Sequence, residues 1–192
     1  MTTGVLLAAG AGTRFGSDKL LHQLADGTPI AVASARHLRA ACDQVVAVIR
    51  PGNTELAKLL AEQGCQIVEC PDAASGMGHT LAAGVAASRH ADGWLVALAD
   101  MPFIAAESYR SVLAVLQGGA LLAAPSYQGR RGHPVAFARC WLEELLALAG
   151  DQGARSILTG HHEHIVVCEL DDPGVLADID RPQDLPSELP AQ

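Results

Sequence analysis

Gly4-Val5-Leu6-Leu7-Ala8-Ala9-Gly10-Ala11-Gly12-Thr13-Arg14-Phe15-Gly16, with Lys19 three residues further on, is the stretch on which the fold turns. Gly4–Ala9 carries no charge and shows no polar alternation, the pattern of a strand covered on both faces. The small residues after it let backbone approach a ligand, and their N–H groups together with Arg14 and Lys19 suit a polyphosphate. The spacing is not that of a dinucleotide fingerprint, because the third glycine falls one residue late, and no Gly-Lys-Ser/Thr follows to make a P-loop. The next apolar run ends at Arg50, not at the acidic residue that holds the ribose of NAD.

Similar apolar runs recur at Val45–Ile49, Gln66–Cys70, Gly93–Ala99, Ala120–Pro125, Pro134–Ala138 and Ile165–Leu170. Between them, helical spacing covers Ala31–Ala41, Thr54–Gln63, Thr80–His90, Ala105–Leu116 and Cys140–Ala149. Strand, helix, strand repetition predicts a mainly parallel sheet with helices on both faces, since right-handed crossovers place them there. The expected fold is a single-domain α/β three-layer sandwich, Rossmann-like, with ligands at the carboxyl ends of the strands. One domain is expected over residues 1–185 and a tail over 186–192, where Pro186-Ser187-Glu188-Leu189-Pro190 reads as a terminus.

The balance of 13 basic against 21 acidic residues, net charge −8, disfavours nucleic acid as a partner, since phosphate neutralisation by Lys and Arg drives such binding. An anionic ligand needs locally concentrated positive charge. With 4% aromatic residues in a 49% hydrophobic chain, the core must be built from Ala, Leu and Val. No apolar stretch approaches the roughly 18 residues of a membrane span, and no basic leader precedes the first apolar run, so a soluble, cytoplasmic protein with no membrane partner is expected. The five scattered cysteines lack a CxxC pair and read as free thiols.

Asp100 follows the apolar run Trp94–Ala99, which sets its carboxylate at the carboxyl edge of the sheet, where magnesium can bridge one or two carboxylates, phosphates and water. Asp178 and Asp180 share a face if the chain between them is extended, so they can complete that metal site. Capping a short helix at Pro182-Gln183-Asp184-Leu185 is the alternative for either. Gly76, Gly78 and Thr80 precede an Ala-rich helix, where backbone donors and a hydroxyl can meet base or ribose atoms.

Several segments together resemble the MobA-like nucleotidyltransferases. They are Leu7-Ala8-Ala9-Gly10-x-Gly12-x-Arg14-x-Gly16-x-x-Lys19, Ser75–Leu81, Leu98-Ala99-Asp100-Met101-Pro102, Gly129–Val135, Gly150–Arg155 and Asp178–Leu185. The resemblance implies the nucleotide-diphospho-sugar transferase type of fold and Mg2+ as cofactor. It further implies Leu7, Ala8, Ala9, Gly10, Gly12, Arg14, Lys19, Gly76, Gly78 and Thr80 at the nucleotide, and Lys19, Arg14 and Asp100 in catalysis. Asp100 with Asp178 and Asp180 would serve the metal, and Arg131, His133 and Asp151 the acceptor. Arg-Gly-His-Pro and Gly-Asp-x-Gly-Ala-Arg are most similar to the molybdenum cofactor cytidylyltransferases. That subgroup implies CTP, a molybdenum-loaded pterin monophosphate as acceptor, and a recipient molybdoenzyme or its chaperone as partner. A guanylyltransferase or other small-molecule nucleotidyltransferase of the same family, a noncatalytic cofactor-binding and delivery protein, and an NAD(P)-dependent oxidoreductase with Arg50 at a 2′-phosphate stand as alternatives.

His161, His162 and His164 lack the i, i+4 spacing of a helical zinc motif and read as a solvated connection before the last strand. Trp94 and Trp141 sit in apolar patterns and read as core.

Overall fold

The computed structural model describes residues 1–10, 15 and 18–185. β1 (Thr2–Ala8) lies in the middle of the sheet, parallel to β2 (Gln44–Ile49) on one side and to β4 (Gly93–Leu98) on the other. That central position is why its apolar run is unbroken: both of its faces are covered. β3 (Gln66–Glu69) extends the sheet beyond β2 in parallel. Beyond β4 come β7 (Val135–Ala138), antiparallel to both neighbours, then β5 (Leu122–Tyr127), then β8 (Ile165–Glu169), parallel to β5. A two-residue loop at Gln128 and Gly129, with φ of 50° and 73°, turns β5 back into the short β6 (Arg130–Arg131). Positive φ at both positions is the signature of a type I′ hairpin turn, whose twist matches that of the strands.

Alternation along each strand divides the core in two. Leu6 and Ala8 pack with α1 (Ile30–Arg39), α2 (Thr54–Glu62) and α4 (Ala106–Gln117) through Leu38, Leu60 and Tyr109. Val5 and Leu7 pack on the other face with α3 (Met77–Ala87), α5 (Leu142–Leu146) and α6 (Arg155–Gly160) through Val85, Leu145 and Ile157. The expected three-layer sandwich with a mainly parallel sheet is the architecture found. No helix among the described residues is long and apolar enough to cross a membrane.

Two expectations need adjustment. Cys140–Ala149 is not one helix: a 3-10 turn at Arg139–Trp141 leads into α5, which ends before Gly150, a residue at φ 70°. α6, short and weakly patterned, was not foreseen. Trp94 is fully buried and Trp141 nearly so, as expected of core residues. All five cysteines are free, but Cys140 is exposed and Cys168 only half-buried.

Candidate active site

The carboxyl ends of β1 and β4 open onto a cleft of about 290 Å³ whose lining includes Leu7, Ala9, Gly10, Lys19, Thr80 and Asp100. Lys19 opens a 3-10 turn, Lys19–Leu21, which Asp18 caps by accepting a hydrogen bond from Leu20 N at 3.2 Å. The second Asp18 oxygen accepts from Asn53 Nδ2 at 2.8 Å, which fastens this turn to the start of α2. The turn holds Lys19 largely buried, pointing its ammonium across the cleft floor.

Lys19 Nζ donates to Asp100 Oδ2 at 2.9 Å and to Asp180 Oδ1 at 3.2 Å. Burial alone would pull the lysine pKa down, but the hydrogen bonds and charges of Asp100, then Asp180, outweigh it and raise the pKa above its usual value. The ammonium is therefore a fixed positive charge at neutral pH. Each carboxylate is held from behind. Ser34 of α1 donates to Ala99 O at 3.0 Å, beside Asp100. Ile179 N donates to Asp100 O at 3.0 Å, and its side chain is buried, so the segment leading to Asp180 is moored to the end of β4.

Asp178 and Asp180 are not equivalent. Asp180 reaches Lys19, whereas Asp178 is exposed. Neither caps the following 3-10 turn. Asp184 does so, accepting from Arg181 N at 2.7 Å and Asp180 N at 2.9 Å. The backbone at Asp180 and Arg181 is tied to Asp184, and it is Asp180, not Asp178, whose carboxylate meets the lysine.

The Gly76 and Gly78 N–H groups are already engaged, Gly76 with Ala73 O at 3.3 Å and Gly78 with Gly150 O at 2.8 Å. The backbone donors expected there for base or ribose are therefore committed within the protein. These glycines are small for a packing reason: a Cβ on Gly76 would stand 2.2 Å from the Gly150 carbonyl carbon, and one on Gly78 would stand 2.7 Å from that of Ala149. Their contribution is to let the start of α3 press against the Ala149–Asp151 turn. That turn carries Asp151 into the lining of the first cleft with Lys19 and Asp100, so the structure does not bring it together with Arg131 and His133, which line the second. Thr80 is buried and lines the same cleft, while the Ala8 methyl faces the opposite core layer. Gly12 and Arg14, expected at the phosphates, lie outside the described residues, as does the 186–192 tail.

A second cleft, about 280 Å³, adjoins the first along Leu7, Met77 and Leu98. Arg131 and His133, the residues expected at the acceptor, line it together with Gln152 and Arg155, which sequence reasoning did not single out. Arg155 was legible only as part of the Gly-Asp-x-Gly-Ala-Arg segment; its placement depends on α6. The His133 Nδ1 is buried without a hydrogen-bond partner among the described residues. Burial lowers its pKa, against the opposing pull of Asp100 and with help from Arg131, so the ring is neutral at physiological pH. Arg131 and Arg155, both exposed, bring positive charge to the lining of the same cleft.

Residues 4–165 match the model of the MobA-like NTP transferase domain. The chain is 30% identical to the purine catabolism protein PucB of Bacillus subtilis (strain 168) over 191 residues, covering 94% of this chain and 92% of that protein. It is 31% identical to the nicotine blue oxidoreductase of Paenarthrobacter nicotinovorans over 188 residues, covering 93% and 91%. Among solved structures, the manganese complex of Rv0371c from Mycobacterium tuberculosis H37Rv superposes with a TM-score of 0.74 at 26% identity, over 95% of each chain.

Proposed function

The chain belongs to the MobA-like NTP transferase family, and from that premise we propose that it transfers a nucleoside monophosphate from a nucleoside triphosphate to a phosphorylated small molecule. The observation that carries this reading is the convergence of Asp100 and Asp180 on one cation, the Lys19 ammonium, in the wall of the first cleft.

The donor set fits a hard divalent ion. Two carboxylates, both reachable by solvent, converge from separate segments, leaving room for phosphate oxygens and water to complete the oxygen shell. Asp100 and Asp180 would hold magnesium, with manganese as a substitute, and Asp178 stands aside. When bound, the ion supplies charge neutralisation at the triphosphate. Lys19, released from the carboxylates, turns its charge to the phosphates, and Gly10, just beyond the end of β1, admits their close approach. A phosphate oxygen of the acceptor attacks the α-phosphorus, forming a P–O bond as the bond to pyrophosphate breaks. That nucleophile is already ionised, so no side-chain base is needed, and positioning with electrostatics supplies the rate.

The acceptor belongs in the second cleft, where Arg131 and Arg155 offer charge to its phosphate and His133 a neutral nitrogen to its polar ring. We assign the donor as CTP and the acceptor as the molybdenum-loaded pterin monophosphate, giving the cytosine dinucleotide cofactor for a cytoplasmic recipient molybdoenzyme or its chaperone. The support is the likeness of Gly129–Val135 and Gly150–Arg155 to the cytidylyl subgroup, together with their position on the walls of the two clefts. Supplying CTP and GTP together with the loaded pterin, then separating the products, tests the assignment. A dominant guanine dinucleotide moves the protein to the guanylyl branch, and tight nucleotide binding without turnover makes it a delivery protein. The oxidoreductase named among the relatives makes a second reading worth one control: loss of NAD(P)H absorbance without pyrophosphate release would replace transfer with reduction.

A further inference from the structure

Outside the lining of both clefts, four side chains that the proposed transfer does not use come together. His161 ends α6, and a 3-10 turn over His162–His164 joins that helix to β8, closed by His164 N donating to His161 O at 3.0 Å. In such a turn, side chains three residues apart eclipse one another. His161 and His164 accordingly stack, with ring centroids 6.2 Å apart and planes 18° apart. Glu163 sets its carboxylate against the pair, 3.6 Å from His164 Nε2, and one ligand-capable atom from each of His161, Glu163 and His164 lies within 4.8 Å of the others. Glu144 of α5 adds a second carboxylate, 3.7 Å from His161 Nε2.

This arrangement is held from below. Trp141, nearly fully buried, donates its indole N–H to Leu121 O at 3.0 Å, and its ring lies against His161 at 4.6 Å and near His164 at 6.5 Å. The indole fixes where His161 can sit, so part of the ordering that a ligand would demand is already present in the fold.

We propose that His161, Glu163 and His164 form a binding site for a late first-row divalent metal ion of the zinc, nickel or copper type. Imidazole suits these ions, whereas magnesium prefers an all-oxygen shell. Ligand bonds to such ions are about 2.0–2.2 Å, so donors sharing one ion stand roughly 3–4 Å apart, and closing from 4.8 Å asks only for small side-chain rotations. The absence of i, i+4 spacing is no obstacle, since a 3-10 turn brings i and i+3 together instead. β8 is parallel to β5 and hence to β4, which puts this turn at the amino edge of the sheet, opposite the candidate active site. An ion bound there would staple the end of α6, whose Arg155 and Leu158 line the second cleft.

The test is zinc binding by titration calorimetry on untagged protein in an Asp100→Asn background, which removes a carboxylate from the proposed magnesium site. One equivalent of Zn2+ should bind, and Cu2+ at the same place should quench Trp141 fluorescence. The double variant His161→Ala/His164→Ala, with unchanged circular dichroism, should lose at least roughly tenfold in zinc affinity, while His90→Ala keeps it. A smaller loss in the double variant overturns the site. Glu163→Gln, a conservative change on an exposed residue, applies the same criterion should the double variant fold poorly.

Discussion

Lys19 and Asp180, 161 residues apart in the chain, meet at 3.2 Å, and Asp100 completes the contact at 2.9 Å from the same ammonium. A lysine that neutralises two carboxylates occupies the place a divalent cation would take, so at the proposed metal site the ion and Lys19 would compete. Each carboxylate should then count separately. Asp100→Asn and Asp180→Asn should each lower pyrophosphate release by on the order of 10²-fold, the scale expected when a positioned charge is lost from a transfer site. Asp178→Asn, on an exposed residue, should stay near the parent rate. Near-normal turnover of Asp180→Asn at saturating magnesium would remove that residue from the metal site.

Competition gives Lys19 an unusual double signature. Lys19→Ala should slow transfer by roughly 10²-fold, because a phosphate-facing charge is lost. The same variant should reach half-saturation at a lower magnesium concentration than the parent, because the carboxylates no longer have an internal partner. Lys58→Ala, on the exposed side of α2, should change neither. Steady-state rates against magnesium separate the two effects, and an unchanged magnesium requirement would contradict the competition.

Gly78→Ala should destabilise the protein by about 1–3 kcal/mol, the usual range for overpacking, since the new methyl meets the Ala149 backbone at 2.7 Å. The Ala149–Asp151 turn would be pushed from α3, so transfer should fall along with the melting temperature. Gly160→Ala, where an added methyl meets nothing within 4 Å, serves as the comparison and should melt at or slightly above the parent temperature. Equal melting temperatures for the two variants would mean the α3 contact yields without cost.

Burial holds the pKa of both His133 and His37 below the ordinary histidine value. The folded state thus binds fewer protons than the unfolded chain in the window below the unfolded pKa of about 6.5, and stability rises with pH there. On acidification the contribution of each neutral ring is lost progressively, until pH falls below the folded pKa. Urea midpoints between pH 5 and 7.5 should decline toward acid, and His133→Gln should flatten the slope. A slope unaffected by that substitution would assign the acid sensitivity elsewhere.

How much of this was legible beforehand depends on what each feature leaves in local sequence. Two-sided burial leaves unbroken apolar runs, so β1, β2 and β4 could be read directly, and with them the sheet edge that carries Gly10 and Asp100. The antiparallel course of β7 leaves no such mark, because direction is decided by neighbours rather than by composition. Gly76 and Gly78 were visible as glycines, but a glycine near a ligand and one under a crossing backbone look alike in sequence, and here the crossing turn claims them. Alternation placed Asp178 and Asp180 on one face, but which of them meets Lys19 depends on how the Ile179 segment docks on the end of β4, which alternation does not carry. Arg155 waited on α6, and the His161 to His164 cluster on a 3-10 turn, both short elements whose existence depends on tertiary contacts.

The bond from Ile179 N to Asp100 O joins one of the last described segments to the heart of the sheet. During synthesis β1, β4 and the helices between them can emerge and pair while residues beyond 178 are still inside the ribosome. Until then Lys19 faces Asp100 alone, and half of the carboxylate pair is missing. The mooring of Ile179 therefore sets an order of assembly: β1 and β4 can pair first, and Asp180 reaches Lys19 only after its own segment has emerged and docked.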